Sequence, residues 1–113
     1  MSTTTLYRPV GPKELELIEA SGWKAFPPRL PEQPIFYPVT NLAYARQITQ
    51  EWNVPAIGVG HVVSFAVDSN YLRKFPVENV GGRIHDELWV PAEELDEFNA
   101  HIVGSIELIE THR

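Results

Sequence analysis

Residues 85–91, with the sequence HDELWVP, are the stretch from which the fold of this chain is predicted. The stretch is short and partly apolar, and it is followed by residues typical of a helix, so it predicts a strand that leads into a helix. Successive side chains of an extended backbone point to opposite sides. Two sets of three follow, one for each face: His85, Glu87 and Trp89, and Asp86, Leu88 and Val90. We expect the second face to be buried and the first to carry function.

The size and composition of the chain exclude several classes of protein. A length of 113 residues predicts a single domain, residues 1–113, that buries about two-thirds of its unfolded surface. The absence of cysteine excludes disulfides, thiolate metal sites and cysteine nucleophiles. The net charge of -6 argues against binding along a nucleic-acid backbone, although a local pair of arginines can hold a small anion. No apolar run approaches the ~20 residues of a membrane span, so we expect a cytoplasmic protein.

Strand and helix patterns mix along the chain without regular alternation. They predict an α+β domain with a mainly antiparallel sheet, curved or split, and about three short helices. The predicted strands are residues 3–10, 35–37, 59–67 and 102–109, in addition to the opening stretch. The predicted helices are residues 12–21, 41–52 and 91–99, with a single turn after Asp68. Residues 53–58 are expected to form a turn, and residues 27–34 a stiff proline-rich loop.

Three residues from separate segments form the main candidate site. Arg8 lies near the end of the first strand, Tyr37 precedes the second helix, and Glu87 lies on a late strand. A cation, an aromatic hydroxyl and a carboxylate are residue types that bind and transform polar ligands. Each also has a purely structural interpretation. Glu87 can be a solvated strand residue, Tyr37 can fill the core, and Arg8 can pair with one of the many acids.

The histidines do not have the spacing of a metal site. His61, His85, His101 and His112 occur without any HxH or HExxH pair, so we predict that the chain binds no metal. His85 is instead a candidate acid, base or orienting partner of Glu87. Its alternative interpretation is a surface histidine at the start of a strand.

The order of these motifs resembles that of ADP-ribosyltransferase-like domains. The matching segments are residues 6–8, residues 35–40 with Ala43 and Ala45, and residues 87–91. Longer runs at residues 7–12 and 87–95 are similar to short bacterial proteins labelled "ADP-ribosylation/crystallin J1". The resemblance is to the transferase half of that label, since crystallin J1 relatives are large helical glycohydrolases with a metal centre.

The resemblance implies a pocket for NAD in a cleft between two sheets. Arg8 would hold a phosphate or a ribose hydroxyl, Tyr37 would stack on nicotinamide, and Glu87 would bind the nicotinamide ribose and stabilise its developing charge. The matched segments also make Tyr7, Thr40 and Trp89 candidates for NAD binding and His85 a catalytic candidate.

Two functions follow from the resemblance, and a third from the residues alone. The first is an NAD- or ADP-ribose-binding domain with ADP-ribosyltransferase or NAD glycohydrolase activity. The second is an inactive member of the same fold that binds an unknown protein, because the chain lacks a Ser-Thr-Ser element and has His85 where a second glutamate is expected. A metal-dependent hydrolase that uses His85 and Glu87 ranks last.

Overall fold

The computed structural model describes residues 2–113 and has an α+β architecture. The strands are β1 Thr3–Val10, β2 Ile35–Phe36, β3 Gly60–Asp68, β4 Val77–Asn79, β5 Asp86–Leu88, β6 Val90–Pro91 and β7 Ile102–His112. The α-helices are α1 Pro12–Ala20, α2 Leu42–Ile48, α3 Val54–Ile57, α4 Ser69–Leu72 and α5 Leu95–Ala100. No helix within residues 2–113 has the length and apolar character needed to cross a membrane.

The sheets are antiparallel, as the sequence predicted. In the largest sheet, β3 lies between β1 and β7, while β2 pairs with β6 and β4 pairs with β5. The apolar, β-branched character of β3 suits its central position, because Val63, Phe65 and Val67 are buried on one face and Val62 is buried on the other. The prediction of an antiparallel α+β domain is therefore confirmed.

Val39 connects the largest sheet to the β4–β5 pair. Its backbone exchanges two hydrogen bonds with Tyr7 of β1, at 2.9 and 2.8 Å, and it also bridges to Glu87 of β5. Neighbouring bonds support the same join, since Leu88 N donates to Pro38 O at 2.9 Å and Thr40 N donates to Asp86 O at 3.2 Å. As a result, three segments that are distant in sequence run side by side.

The main core lies between one face of the largest sheet and the surrounding helices. Four phenylalanine rings form its centre, with ring centroids 4.8 to 6.2 Å apart in the contacting pairs: Phe26, Phe36, Phe65 and Phe98. Leu88 and Val90 are buried in this core, as the alternation of residues 85–91 predicted, but Asp86 of the same predicted face is only partly buried and Glu87 of the opposite face is buried. A smaller cluster joins α2 to the largest sheet and consists of Val39, Ala45 of α2 and Val62 of β3.

The prediction of a turn at residues 53–58 is wrong, because the helix continues to Ile57. Between α2 and α3, residues Thr49–Asn53 form a π-helical turn, and Pro55 then lies in the first turn of α3. A proline is tolerated at that position because an N–H group is not required there. Gly58 ends the helix in the left-handed conformation, with φ of 93°.

The third predicted helix also begins differently from expectation. Pro91 pairs with Ile35 in the β2–β6 ladder, and a 3₁₀ turn at Ala92–Glu94 precedes α5. Tertiary pairing with β2 therefore extends the strand by one residue into the segment that was predicted as helical. The other helices and the turn capped by Asp68 lie where the sequence predicted them.

Gly60, the first residue of β3, permits close contact with the π-helical turn. A Cβ atom at this position would lie 2.6 Å from Cγ2 of Thr49 and 3.0 Å from Cβ of Asn53. We therefore expect Gly60→Ala to reduce the free energy of unfolding by about 1–3 kcal/mol through overpacking. Denaturant unfolding measures this change. Ser64→Ala on the same strand is the control, and an equal effect of the two substitutions would contradict the packing explanation.

Candidate functional site

A cleft of about 400 Å³ lies beside the paired segments of β1 and Val39. Three groups of residues line it, from β1, from the segments around Val39 and β5, and from the helix: Arg8 and Pro9; Tyr37, Val39, Glu87 and Trp89; Ile48 and Asn53. The volume is near the lower end of the roughly 300–1,000 Å³ typical of small-molecule sites. The three main candidates, Arg8, Tyr37 and Glu87, thus line one cleft.

Glu87 is held at the base of this cleft by two donors. Its Oε1 accepts a hydrogen bond from Trp89 Nε1 at 2.9 Å, and its Oε2 accepts one from the Tyr44 hydroxyl at 3.1 Å. The residue is only 9% exposed. A carboxylate has about four acceptor positions, so both oxygens can still accept from a ligand hydroxyl. The carboxylate is therefore oriented and retains the capacity to bind.

Tyr44 is suited to act as a donor to Glu87. Burial, followed by the charge of Glu87 and the hydrogen bond to it, raises the pKa of Tyr44 to about 12. The phenol consequently keeps its proton at neutral pH and continues to donate.

His85 supports Tyr44 from outside the cleft. The two rings lie 4.7 Å apart between centroids and are tilted by 32°. His85 Nδ1 accepts from Gly82 N at 2.9 Å, so the ring proton lies on Nε2, which is 2.8 Å from Gln47 Oε1. This arrangement matches an orienting role, with Tyr44 between His85 and the carboxylate.

Arg8 is already paired with an acid. Its Nε donates to Glu14 Oε2 at 2.6 Å and its Nη2 donates to Glu14 Oε1 at 3.0 Å, in the two-pronged geometry typical of arginine. A weaker bond of 3.4 Å joins Nη1 to Tyr37 O. Arg8 is 8% exposed, and its guanidinium lies 4.6 Å from the centre of the Phe36 ring. A ligand anion would have to compete with or join Glu14.

Tyr37 and Trp89 form the aromatic wall of the cleft. Their rings meet edge to face, with centroids 6.2 Å apart and planes at 90°. Both side chains are substantially exposed, unlike the phenylalanine rings of the main core. Exposed aromatic faces beside a buried cation and a buried carboxylate are suited to a planar ring linked to a polar group.

The structure separates two sequence candidates, Tyr7 and Thr40, from the cleft lining. Tyr7 packs against the cluster of Val39, Ala45 and Val62. The Thr40 hydroxyl lies 3.4 Å from Asp86 O, and the side chain lines a different groove with Leu72 and Phe75.

Sequence reasoning missed four residues that shape the site. Glu14 pairs with Arg8, Tyr44 donates to Glu87, and Ile48 and Asn53 form the helical wall. Only weak signals were available for them. An acid in the first turn of α1 is close to the end of β1 through a short connection, and Tyr44 and Ile48 are spaced by one helical turn.

No group of three or more His, Cys, Asp or Glu side chains within residues 2–113 has the arrangement needed to hold a metal ion. Asp86, next to Glu87 in sequence, instead accepts from Asn79 Nδ2 at 2.9 Å.

Removal of the Tyr44 hydroxyl tests the support of Glu87. We expect Tyr44→Phe to lower the free energy of unfolding by about 1.5–3 kcal/mol, because a hydrogen bond to a charged group is lost while the ring remains against His85. Denaturant unfolding gives the value. The control is Tyr37→Phe, expected to change stability by less than about 0.5 kcal/mol because this side chain is exposed. Equal losses in the two variants would show that the bond to Glu87 contributes nothing.

No family model matches the chain, and no curated protein or solved structure matches it significantly.

Proposed function

We propose that this protein binds NAD or an ADP-ribose-type ligand through an ADP-ribosyltransferase-like fold and cleaves the bond between nicotinamide and ribose. One observation carries this proposal: Arg8, Tyr37 and Glu87 line a single cleft although they are far apart in sequence. Their order and residue types resemble the motifs of ADP-ribosyltransferase-like domains. The proposed activity is that of an NAD glycohydrolase or an ADP-ribosyltransferase.

The cleft suits the nicotinamide ribose half of such a ligand. Tyr37 and Trp89 offer exposed aromatic surface to the nicotinamide ring, and Glu87 offers acceptor positions to a ribose hydroxyl. The volume of about 400 Å³ is small for a whole dinucleotide, so the remainder of the ligand would extend outwards past Arg8.

The chemical role of Glu87 follows from its charge and burial. When the glycosidic bond breaks, its electron pair leaves with the nicotinamide nitrogen and positive charge develops on the ribose. A carboxylate in a partly desolvated site stabilises that charge. Water then attacks the ribose and loses a proton to solvent, which gives hydrolysis, or an acceptor nucleophile attacks, which gives transfer.

The direct test combines binding with turnover. Calorimetric titration with NAD is expected to show saturable binding, and chromatography is expected to show release of free nicotinamide. Absence of both would reject the proposal.

The pairing of Arg8 with Glu14 favours one alternative, an inactive domain of the same fold that binds a protein partner. Glu14 neutralises the cation that would otherwise receive the ligand phosphate. This alternative predicts a specific protein partner and no nicotinamide release. Clear turnover in the assay above would reject it.

A further inference from the structure

Arg29, on the proline-rich loop, has a buried Nε atom that reaches no hydrogen-bond partner within residues 2–113. Its guanidinium also forms no ion pair within 4.0 Å in the same part of the chain. Buried polar groups of native proteins almost always have partners, so this N–H group requires an explanation. The surroundings of Arg29 support the explanation that a ligand supplies the missing acceptor.

Arg29 and Arg8 lie beside the same aromatic ring. Their guanidinium carbons are 5.9 and 4.6 Å, respectively, from the centroid of Phe36. Burial and the nearby charge of Arg8 lower the pKa of Arg29, while Glu14 and Tyr37 oppose that shift. Glu14 is the one carboxylate whose charge acts on Arg29, and it is already paired with Arg8. Glu14 therefore leaves one of these two cations without a neutralising partner.

The loop that carries Arg29 is anchored at both ends. Asn99 binds the backbone of Phe26 twice, through Oδ1 to N at 3.0 Å and through Nδ2 to O at 3.0 Å. At the other end, Ile35–Phe36 pairs with β6. Prolines between these anchors restrict the backbone further. The backbone of this loop is therefore restricted before any ligand arrives, which reduces the ordering entropy lost on binding.

We propose that Arg29 and Arg8 together bind a phosphate group, and that this site adjoins the cleft where Arg8 and Tyr37 line it. The planar fork of arginine matches the oxygens of a phosphate ester or a diphosphate. The identity of the full ligand rests on the proposed function, in which the diphosphate extends outwards past Arg8. Glu14 competes with the phosphate ligand for Arg8. A bound diphosphate therefore replaces some of the hydrogen bonds that Glu14 accepts from Arg8.

Inorganic pyrophosphate is a probe that tests this site without the rest of the ligand. Calorimetric titration at low salt is expected to show saturable binding to the wild-type protein. Arg29→Gln is expected to weaken that binding about tenfold or more, because a charged hydrogen-bonding group is lost. Arg29→Lys is expected to be intermediate, since it keeps the charge and loses the fork. Glu14→Gln is expected to tighten binding severalfold by freeing Arg8.

Arg73→Gln is the charge-matched control, because Arg73 is exposed and lines a separate groove with Thr4 and Leu72. The inference is overturned if wild-type protein binds no pyrophosphate, if Arg29→Gln binds it as tightly, or if Arg73→Gln weakens binding equally. It is also overturned if Glu14→Gln and Arg29→Gln shift affinity in the same direction.

Nicotinamide release measured on the same samples separates the two proposals. Arg29-dependent binding of pyrophosphate without any NAD binding or turnover supports the phosphate site and rejects the proposed function. If NAD is turned over and pyrophosphate binding does not depend on Arg29, the result supports the proposed function and rejects the phosphate site.

Discussion

Glu87→Gln is expected to reduce the rate of nicotinamide release by about 100-fold or more, because the charge that stabilises the ribose cation is removed. The fold should remain intact in this variant. The glutamine can accept from Trp89 Nε1 through its oxygen, and its amide can donate to the Tyr44 hydroxyl, which rotates to accept. The calorimetric affinity for NAD is expected to change much less than the rate.

The control for this experiment is Glu107→Gln. Glu107 is an exposed acid on β7 that does not line the Glu87 cleft, so the same change of charge there should leave the rate within about twofold of wild type. A Glu87→Gln protein that releases nicotinamide at the wild-type rate would remove Glu87 from the mechanism. Equal loss in both variants would indicate a general effect of charge.

Phe98→Ala is expected to cause the largest loss of stability, about 3–5 kcal/mol, because it leaves a cavity in a closely packed core. The Phe98 ring is fully buried and lies 5.5 Å from Phe36, 6.2 Å from Phe65 and 6.4 Å from Phe75, between centroids. Domains are typically stable by only about 5–15 kcal/mol, so much of the margin would disappear. Denaturant unfolding followed by circular dichroism measures the difference.

Trp52→Ala is the matched control, since it removes a still larger aromatic side chain. Trp52 is 70% exposed on the π-helical turn, and its replacement is expected to change stability by less than about 0.5 kcal/mol. Similar losses in Phe98→Ala and Trp52→Ala would mean that burial in the main core does not determine the effect.

Local pattern was a reliable guide where one face of an element is buried. The alternation in residues 85–91 predicted that Leu88 and Val90 enter the core and that Glu87 and Trp89 share the other face. The local pattern failed where the preference of a single residue is outweighed by the conformation of the surrounding helix. Pro55 suggested a turn, but the π-helical turn at Thr49–Asn53 continues into α3, which contains Pro55, and Asn53 at the end of that turn lines the cleft.

The site depends on a contact that no local pattern predicts. Val39 pairs with Tyr7 on one side and Glu87 on the other, and this join sets Arg8, Tyr37 and Glu87 around one opening. Pairing between strands is determined by long-range packing and register, so a short segment such as residues 37–40 gives no indication of its neighbours.

The sequence by itself determined the α+β class, the extent of β1, the position of β3 to within one residue, the burial of Leu88 and Val90 and the residue types of the main candidates, because these follow from periodicity and chemistry along the chain. Only the tertiary structure decided which residues lie beside them. It paired Arg8 with Glu14, placed Tyr44 against Glu87 and placed Arg29 near Arg8. Each of these neighbours is 6 to 43 positions away in sequence, and folding of the sheets and helices around the core brings them together.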